Sequence, residues 1–145
     1  MLEQHTIEVM GGPRNLGGAV RNQIELAERI IQGLPRSAAL AVRRRLGLTE
    51  EELAAGLGVS AKTLQRQARD AAARLKPAQS DRLYRLARVA AFAEEVLEDH
   101  ERAHRWLREP QRGLGNRAPL ELLSSEAGAR EVEDLLGRIE YGVFS

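Results

Sequence analysis

Between Ile24 and Ile139 the apolar residues return at intervals of three and four, the period of a helix and not the period of two that a half-buried strand needs. Ile24, Ala27, Ile31 and Leu34 form one stripe, ended by Gly33 and Pro35. A second helix takes Pro35 in its first turn, runs through Leu40 to Leu46, and ends on Arg43-Arg44-Arg45 and Gly47, a basic last turn followed by a C-cap glycine. A third starts at Thr49, with Glu50, Glu51 and Glu52 in its first turn, and a fourth spans Ser60 to about Leu75. Lys76-Pro77-Ala78-Gln79-Ser80 marks an internal boundary, with Pro77 suited to opening the next helix. That helix is expected to be long, Asp81 to Leu107. Pro110 and the stretch Gly113 to Pro119 break it; a short helix (Leu120, Leu122, Leu123) and a last one from Ser124 or Ser125 follow. Before residue 21 the brief alternation Thr6-Ile7-Glu8-Val9 gives way to Gly11-Gly12-Pro13 and Gly17-Gly18, which reads as a mostly irregular leader. The chain is therefore expected to be all-α, with a leader over 1–20, a helix-turn-helix domain over 21–76 and a small helical domain over 77–145.

Composition narrows the chemistry. With 145 residues, 3% aromatics and no cysteine, the core must be built from Leu, Ala, Val and Ile. Disulfides, cysteine zinc sites and thiol catalysis drop out. No apolar run approaches the ~20 residues that cross a bilayer, and Met1 to His5 has neither the basic nor the apolar part of a signal peptide. A soluble cytoplasmic protein without a membrane partner is expected.

The formal net charge of +1 conceals an uneven distribution. Residues 61–90 hold eight basic side chains (Lys62, Arg66, Arg69, Arg74, Lys76, Arg82, Arg85, Arg88) against two acidic ones, whereas residues 91–145 hold twelve acidic against seven basic. A polyanion would be attracted to mid-chain and repelled by the C-terminal third.

The strongest local pattern runs from Leu48 to Arg66: two short helices around Gly58, with Leu53, Ala54, Leu57, Val59 and Leu64 placed to hold their angle. This is the sequence form of a helix-turn-helix, whose second helix enters a major groove. At 100° per residue, Leu64, Ala68, Ala71 and Leu75 turn inward and Lys62, Arg66 and Arg69 outward, with Thr63 and Gln65 at the edges. Lys and Arg neutralise phosphates or fork onto guanine, and Gln pairs with adenine. These five are the candidate DNA-binding residues. One such helix reads few base pairs, so at least a dimer on a palindromic site is expected.

His100-Glu101-Arg102-Ala103-His104 matches H-E-x-x-H, which on a helix can hold zinc with the Glu as general base. A third ligand would have to be His5 or a carboxylate. The simpler reading is two histidines at a helix contact, partly buried against the C-terminal helices and satisfied by a carboxylate or carbonyl. No metal, cofactor or catalytic residue is expected: Ser60, Ser124 and Ser125 read as N-caps, no Gly-x-Ser-x-Gly elbow occurs, and no glycine pair follows a strand in a βαβ unit.

The last helix places Gly128, Val132, Leu135, Leu136 and Ile139 on one stripe and runs into Glu140-Tyr141-Gly142-Val143-Phe144-Ser145. These aromatics either fold back as a lid on the core or anchor a partner.

Three blocks, Ser80 to Leu107, Pro119-Leu120-Glu121-Leu122-Leu123, and Glu126-Ala127-Gly128-Ala129-Arg130 through Gly137-Arg138-Ile139-Glu140-Tyr141-Gly142-Val143-Phe144-Ser145, resemble the toxin-binding domain of Xre/MbcA/ParS-type antitoxins. Gly33-Leu34-Pro35 and the helix-turn-helix resemble the Xre-like half of the same proteins. The resemblance implies a non-enzymatic type II antitoxin that blocks a RES-domain, NAD-depleting toxin through its C-terminal domain. It also implies repression of the antitoxin's own operon, and a homodimer or a larger assembly with toxin. Arg138, Glu140, Tyr141, Val143, Phe144 and Ser145 would be the toxin-binding residues. The chain departs from the family pattern at Gly115-Asn116 (often two glycines), at Ala118 before Pro119 (often Thr), and at Arg66-Gln67 (often two Arg). A stand-alone helix-turn-helix regulator whose C-terminal half oligomerises or senses a ligand is the alternative.

Overall fold

The computed structural model describes residues 2–70 and 72–142. Nine α-helices occur among them: α1 Leu2–Val9, α2 Gln23–Gln32, α3 Arg36–Leu46, α4 Glu50–Leu57, α5 Ala61–Gln67, α6 Pro77–Leu97, α7 His100–Arg108, α8 Pro119–Leu122 and α9 Glu126–Glu140. Short 3₁₀ turns lie at Pro13–Leu16 and Arg112–Leu114. No strand occurs among the described residues, only two isolated bridges. The chain is all-α, as its periodicity requires.

Helix α6 is the axis. Leu83, Leu86, Ala87, Val89, Ala90 and Ala93 are buried along it, because it packs on α1, α2, α4, α7 and α9. A 21-residue helix clad this way needs apolar residues nearly all round. The boundary expected at residues 76–77 is the start of α6, which serves both halves.

Four expectations are corrected. The leader is not irregular: α1 lies along α6 and buries Ile7, Val9 and Met10. Eight residues are too few to hold a helix alone; packing on α6 supplies what local propensity lacks. Helix α5 stops at Gln67 instead of running to Leu75. The Asp70 carboxylate accepts from the Ala72 N–H at 3.1 Å, a local bond that competes with helix. The chain then turns back, so that Leu75 N–H donates to Leu34 C=O at 2.9 Å. Ala68 is therefore exposed, and Ala71 lies outside the described residues.

The expected long helix over 81–107 is two helices. Glu98 is left-handed (φ 55°), and the Asp99 side chain caps α7 by accepting from the Glu101 and Arg102 N–H groups. Finally, α2 turns the other way round from its expected stripe. Leu26 is buried, while Ile24 and Ile31 are 71% and 69% exposed. Arg29 fixes that rotation by donating to the carbonyls of Gly18 and Ala19 at 2.9 and 3.0 Å.

Candidate functional site

The α4–α5 pair is built by its caps. Thr49 Oγ1 accepts from the Glu52 N–H at 3.0 Å while the Glu52 carboxylate accepts from the Thr49 N–H at 2.8 Å, a reciprocal box that starts α4. Gly58 closes it in the left-handed region at φ 75°, where a side chain is strained. The Ser60 hydroxyl opens α5 by accepting from the Thr63 N–H. Leu53, Ala54 and Leu57 are buried beneath the turn, with Val59 and Leu64 against them.

Lys62, Arg66 and Arg69 project from this unit, exposed and without an ion-pair partner among the described residues. The other two candidates are engaged locally. The Thr63 hydroxyl oxygen accepts from Ser60 Oγ at 2.9 Å, and Gln65 Nε2 donates to Glu50 Oε2 at 2.7 Å. Arg82, on α6, sits over the turn: a Cβ at Gly58 would meet its Nη1 at 2.7 Å. Charge counting included Arg82 but could not place it beside Gly58, 24 positions earlier.

The mid-chain excess of positive charge is smaller than it reads. Arg85 is bonded to Asp81 and Glu126, Arg88 to Glu126 and Glu133, and Arg74 donates to the Gly33 carbonyl at 3.0 Å. Burial opposes ionisation of Glu126, yet Arg85 and Arg88 hold its carboxyl below the ordinary range. The bonds from Arg85 and Arg88 to Glu126 and Glu133 fasten α9 to α6, and, Arg74 aside, the remaining mid-chain cations Lys62, Arg66, Arg69, Lys76 and Arg82 are left without an ion pair among the described residues.

The C-terminal face is set by α8 and α9. Gly128 lies so close to α8 that a Cβ there would stand 2.0 Å from the Leu122 carbonyl oxygen. Val132, Leu135 and Leu136 are buried and Ile139 is partly covered. Gly115 and Asn116 are both left-handed (φ 65° and 63°), so Asn replaces a second glycine without changing the turn. Ala118 lacks a capping side chain, and the Glu121 carboxylate accepts from its N–H instead, at 3.1 Å. Arg138 lies near Gly113, its buried Nε without a hydrogen-bond partner. Glu140, the last residue of α9, is exposed, and Tyr141 just past it is 81% exposed, so Tyr141 is not a lid. Gly142 takes φ 71°; Val143, Phe144 and Ser145 lie outside the described residues.

The three histidines converge on one carboxylate. Glu94, 3% exposed, takes Arg45 from α3 in a fork (Nε to Oε2 3.0 Å, Nη2 to Oε1 2.8 Å), with His5 Nε2 from α1 at 2.7 Å and His104 Nε2 at 2.8 Å. Burial raises the cost of its charge, but the hydrogen bonds from Arg45, His104 and His5 hold its carboxyl down at about 2. His104 is partly buried and satisfied by a carboxylate, as expected. His100 is exposed, and both histidines face α6, α3 and α1, not the C-terminal helices. His5, Glu94 and His100 each offer a ligand-type atom within 4.8 Å of the others, spaced as metal ligands could be. The Arg45 guanidinium already stands among them, 3.4 Å from His100 Nε2, and supplies the cation.

Residues 92–142 match the antitoxin Xre/MbcA/ParS C-terminal toxin-binding domain, and residues 25–88 match the antitoxin Xre-like helix-turn-helix domain. Over 133 residues, covering 91% of this chain and 89% of its relative, the sequence is 32% identical to antitoxin Xre of Yersinia enterocolitica serotype O:8 / biotype 1B. The chain belongs to the Xre family of antitoxins. Antitoxins Xre of Photorhabdus laumondii and Pseudomonas putida are 40% identical over 68 residues and 36% over 64, spans covering 46% and 44% of this chain and 46% and 40% of those proteins. The two Xre matches part inside α6, between residues 88 and 92. Arg45 falls in the first and Glu94, His100 and His104 in the second, while His5 precedes both. No helix among the described residues is long and apolar enough to cross a membrane.

Proposed function

We propose that this antitoxin blocks a RES-domain, NAD-depleting toxin with α9 and the segment beyond it, and represses its own operon through α4 and α5. It acts as a non-enzymatic cytoplasmic protein, its DNA-binding and toxin-binding halves sharing α6. The observation that carries the toxin side is Tyr141, an aromatic 81% exposed just past α9. Aromatics held out this way are favoured as interface anchors. Arg138 stands one turn before it with no acidic partner among the described residues, ready for a carboxylate of the toxin. Glu140, Tyr141, Val143, Phe144 and Ser145 together offer aromatic, anionic and hydroxyl groups to a pocket shaped for a dinucleotide.

On the DNA side, Lys62, Arg66 and Arg69 contact the operator backbone or guanines, with Thr63 and Gln65 at base edges. Gln65 must first leave Glu50 to do so, because its amide is already bonded. Two copies bind together. Ile24, Ala27 and Ile31 give α2 an exposed apolar stripe centred near Ala27, and an antiparallel two-fold brings Ile24 of one copy onto Ile31 of the other.

The test is deletion of residues 141–145, with toxicity of the co-expressed RES-domain protein and operator binding measured in parallel. Loss of protection with operator binding kept supports the reading. Full protection by the truncated protein overturns the tail as the blocking element, and failure of the intact chain to neutralise any RES-domain protein favours the stand-alone regulator.

A further inference from the structure

Helix α5 is thinly packed. None of its seven residues is buried, and so short a helix cannot hold itself. Between α5, α3 and α4 lies a recess of about 380 Å³, the size of a small-ligand site. Its surface is mostly apolar: Leu40 and Leu53 line it from α3 and α4, Ala61 and Leu64 from α5, and Ala68 from the segment beyond. Leu40, bordering this space, is 46% exposed. Charge enters at three points, Arg36 and Arg43 on α3 and Glu50 on α4. Arg36 donates to the Leu64 and Gln67 carbonyls of α5, and Arg43 Nε donates to the Leu48 carbonyl at 3.1 Å. Neither arginine has an ion-pair partner among the described residues, and the Arg43 Nη groups have no hydrogen-bond partner among them. Glu50 is engaged, its Oε2 accepting from Gln65 Nε2 at 2.7 Å. Two unpaired cations against one bonded carboxylate make the recess apolar and net positive.

We propose that this recess binds a small acyl carboxylate. The hydrocarbon tail fills the space between Leu40, Leu53 and Leu64, and the carboxylate bonds to the Arg43 guanidinium, the charge-assisted pairing that a guanidinium favours. An aliphatic tail fits because no aromatic side chain lines the recess among the described residues, so a ring would find nothing to stack on. Filling the space gives α5 the apolar neighbours it lacks on that side and fixes it against α3. The site rests on no reading of the toxin or the operator, and its test needs neither.

The test is titration of octanoate into the full chain, followed by the methyl resonances of Leu40, Leu53 and Leu64, with octanol as the uncharged control. Octanoate should shift those methyls saturably and bind about tenfold more tightly than octanol, the factor that one charge-assisted hydrogen bond supplies. Amide exchange across α5 should slow as the site fills. Arg43→Gln should abolish the preference for octanoate, and Ala68→Phe, a change at an exposed position, should block both probes. If Arg43→Gln does not fold, the comparison of octanoate with octanol on the wild type decides. No saturable shift, equal affinity for the two probes, or α5 exchange indifferent to octanoate overturns the proposal. So does a dimer, seen by sedimentation, that Ala68→Phe dissociates, since a second copy would then occupy the recess.

Discussion

Arg45 on α3 and Glu94 on α6 meet as a two-pronged ion pair, Nη2 to Oε1 at 2.8 Å and Nε to Oε2 at 3.0 Å, and the carboxylate is closed off from solvent. Removing the arginine leaves that charge buried with histidines alone. Arg45→Ala should cost about 3 kcal/mol, read as a lower urea midpoint at neutral pH.

The same carboxylate sets an acid limit. Glu94 is held at about 2 in the folded chain against an ordinary value of 4.5. Its stabilisation is therefore complete above pH ~4.5 and lost as pH falls toward ~2. Unfolding midpoints followed between those values should drop steeply in the wild type, by about 3 kcal/mol of stability. Glu94→Gln should show a shallower fall, and equal slopes would mean that other carboxylates govern the acid transition.

The recognition helix should behave as a phosphate binder. Each of Lys62, Arg66 and Arg69 that touches a phosphate contributes about one unit to the slope of log affinity against log salt. Lys62→Ala combined with Arg66→Ala should therefore flatten operator binding by about two units. Arg82→Ala, beside Gly58 on α6, should remove about one more; a slope untouched by all three would place the DNA surface elsewhere.

Gly128→Ala should push α9 off α8, since its methyl would collide with the Leu122 carbonyl. An overpacking cost of about 1–3 kcal/mol is expected. Toxin neutralisation should weaken while the isolated DNA affinity holds, because α4 packs mainly on α5 and α6 and the joint at Gly128 lies between α8 and α9. Parallel calorimetry and operator titration would detect the reverse pattern if it occurred.

Ile24→Lys with Ile31→Lys should leave a folded monomer, because both side chains are exposed. Sedimentation at micromolar concentration measures this directly. An unchanged dimer would exclude the outer face of α2 as the contact between copies.

Much of this protein was decided by local sequence. The period of three and four made it helical, Thr49 with Glu52 and Ser60 with Thr63 started α4 and α5, Gly58 turned the chain between them, and Gly128 marked a close helix crossing. These are contacts within a few residues, or demands of one backbone position, and they read directly. The resemblance in the C-terminal blocks was legible for the same reason, being carried by contiguous residues. What local reading misjudged was long-range. Residues 2–9 are helical because α6 covers Ile7, Val9 and Met10, and α2 shows Ile24 and Ile31 to solvent because Arg29 is held by distant carbonyls. The apolar stripe running past Glu98 and Asp99 favoured a single helix, and the break there became visible only once the chain folded α7 back on α6. Only tertiary structure could bring His5, Arg45, Glu94 and His104 to one point. Their separations along the chain reach 99 positions, and a carboxylate gathers such partners only when packing has removed the water that would otherwise solvate it.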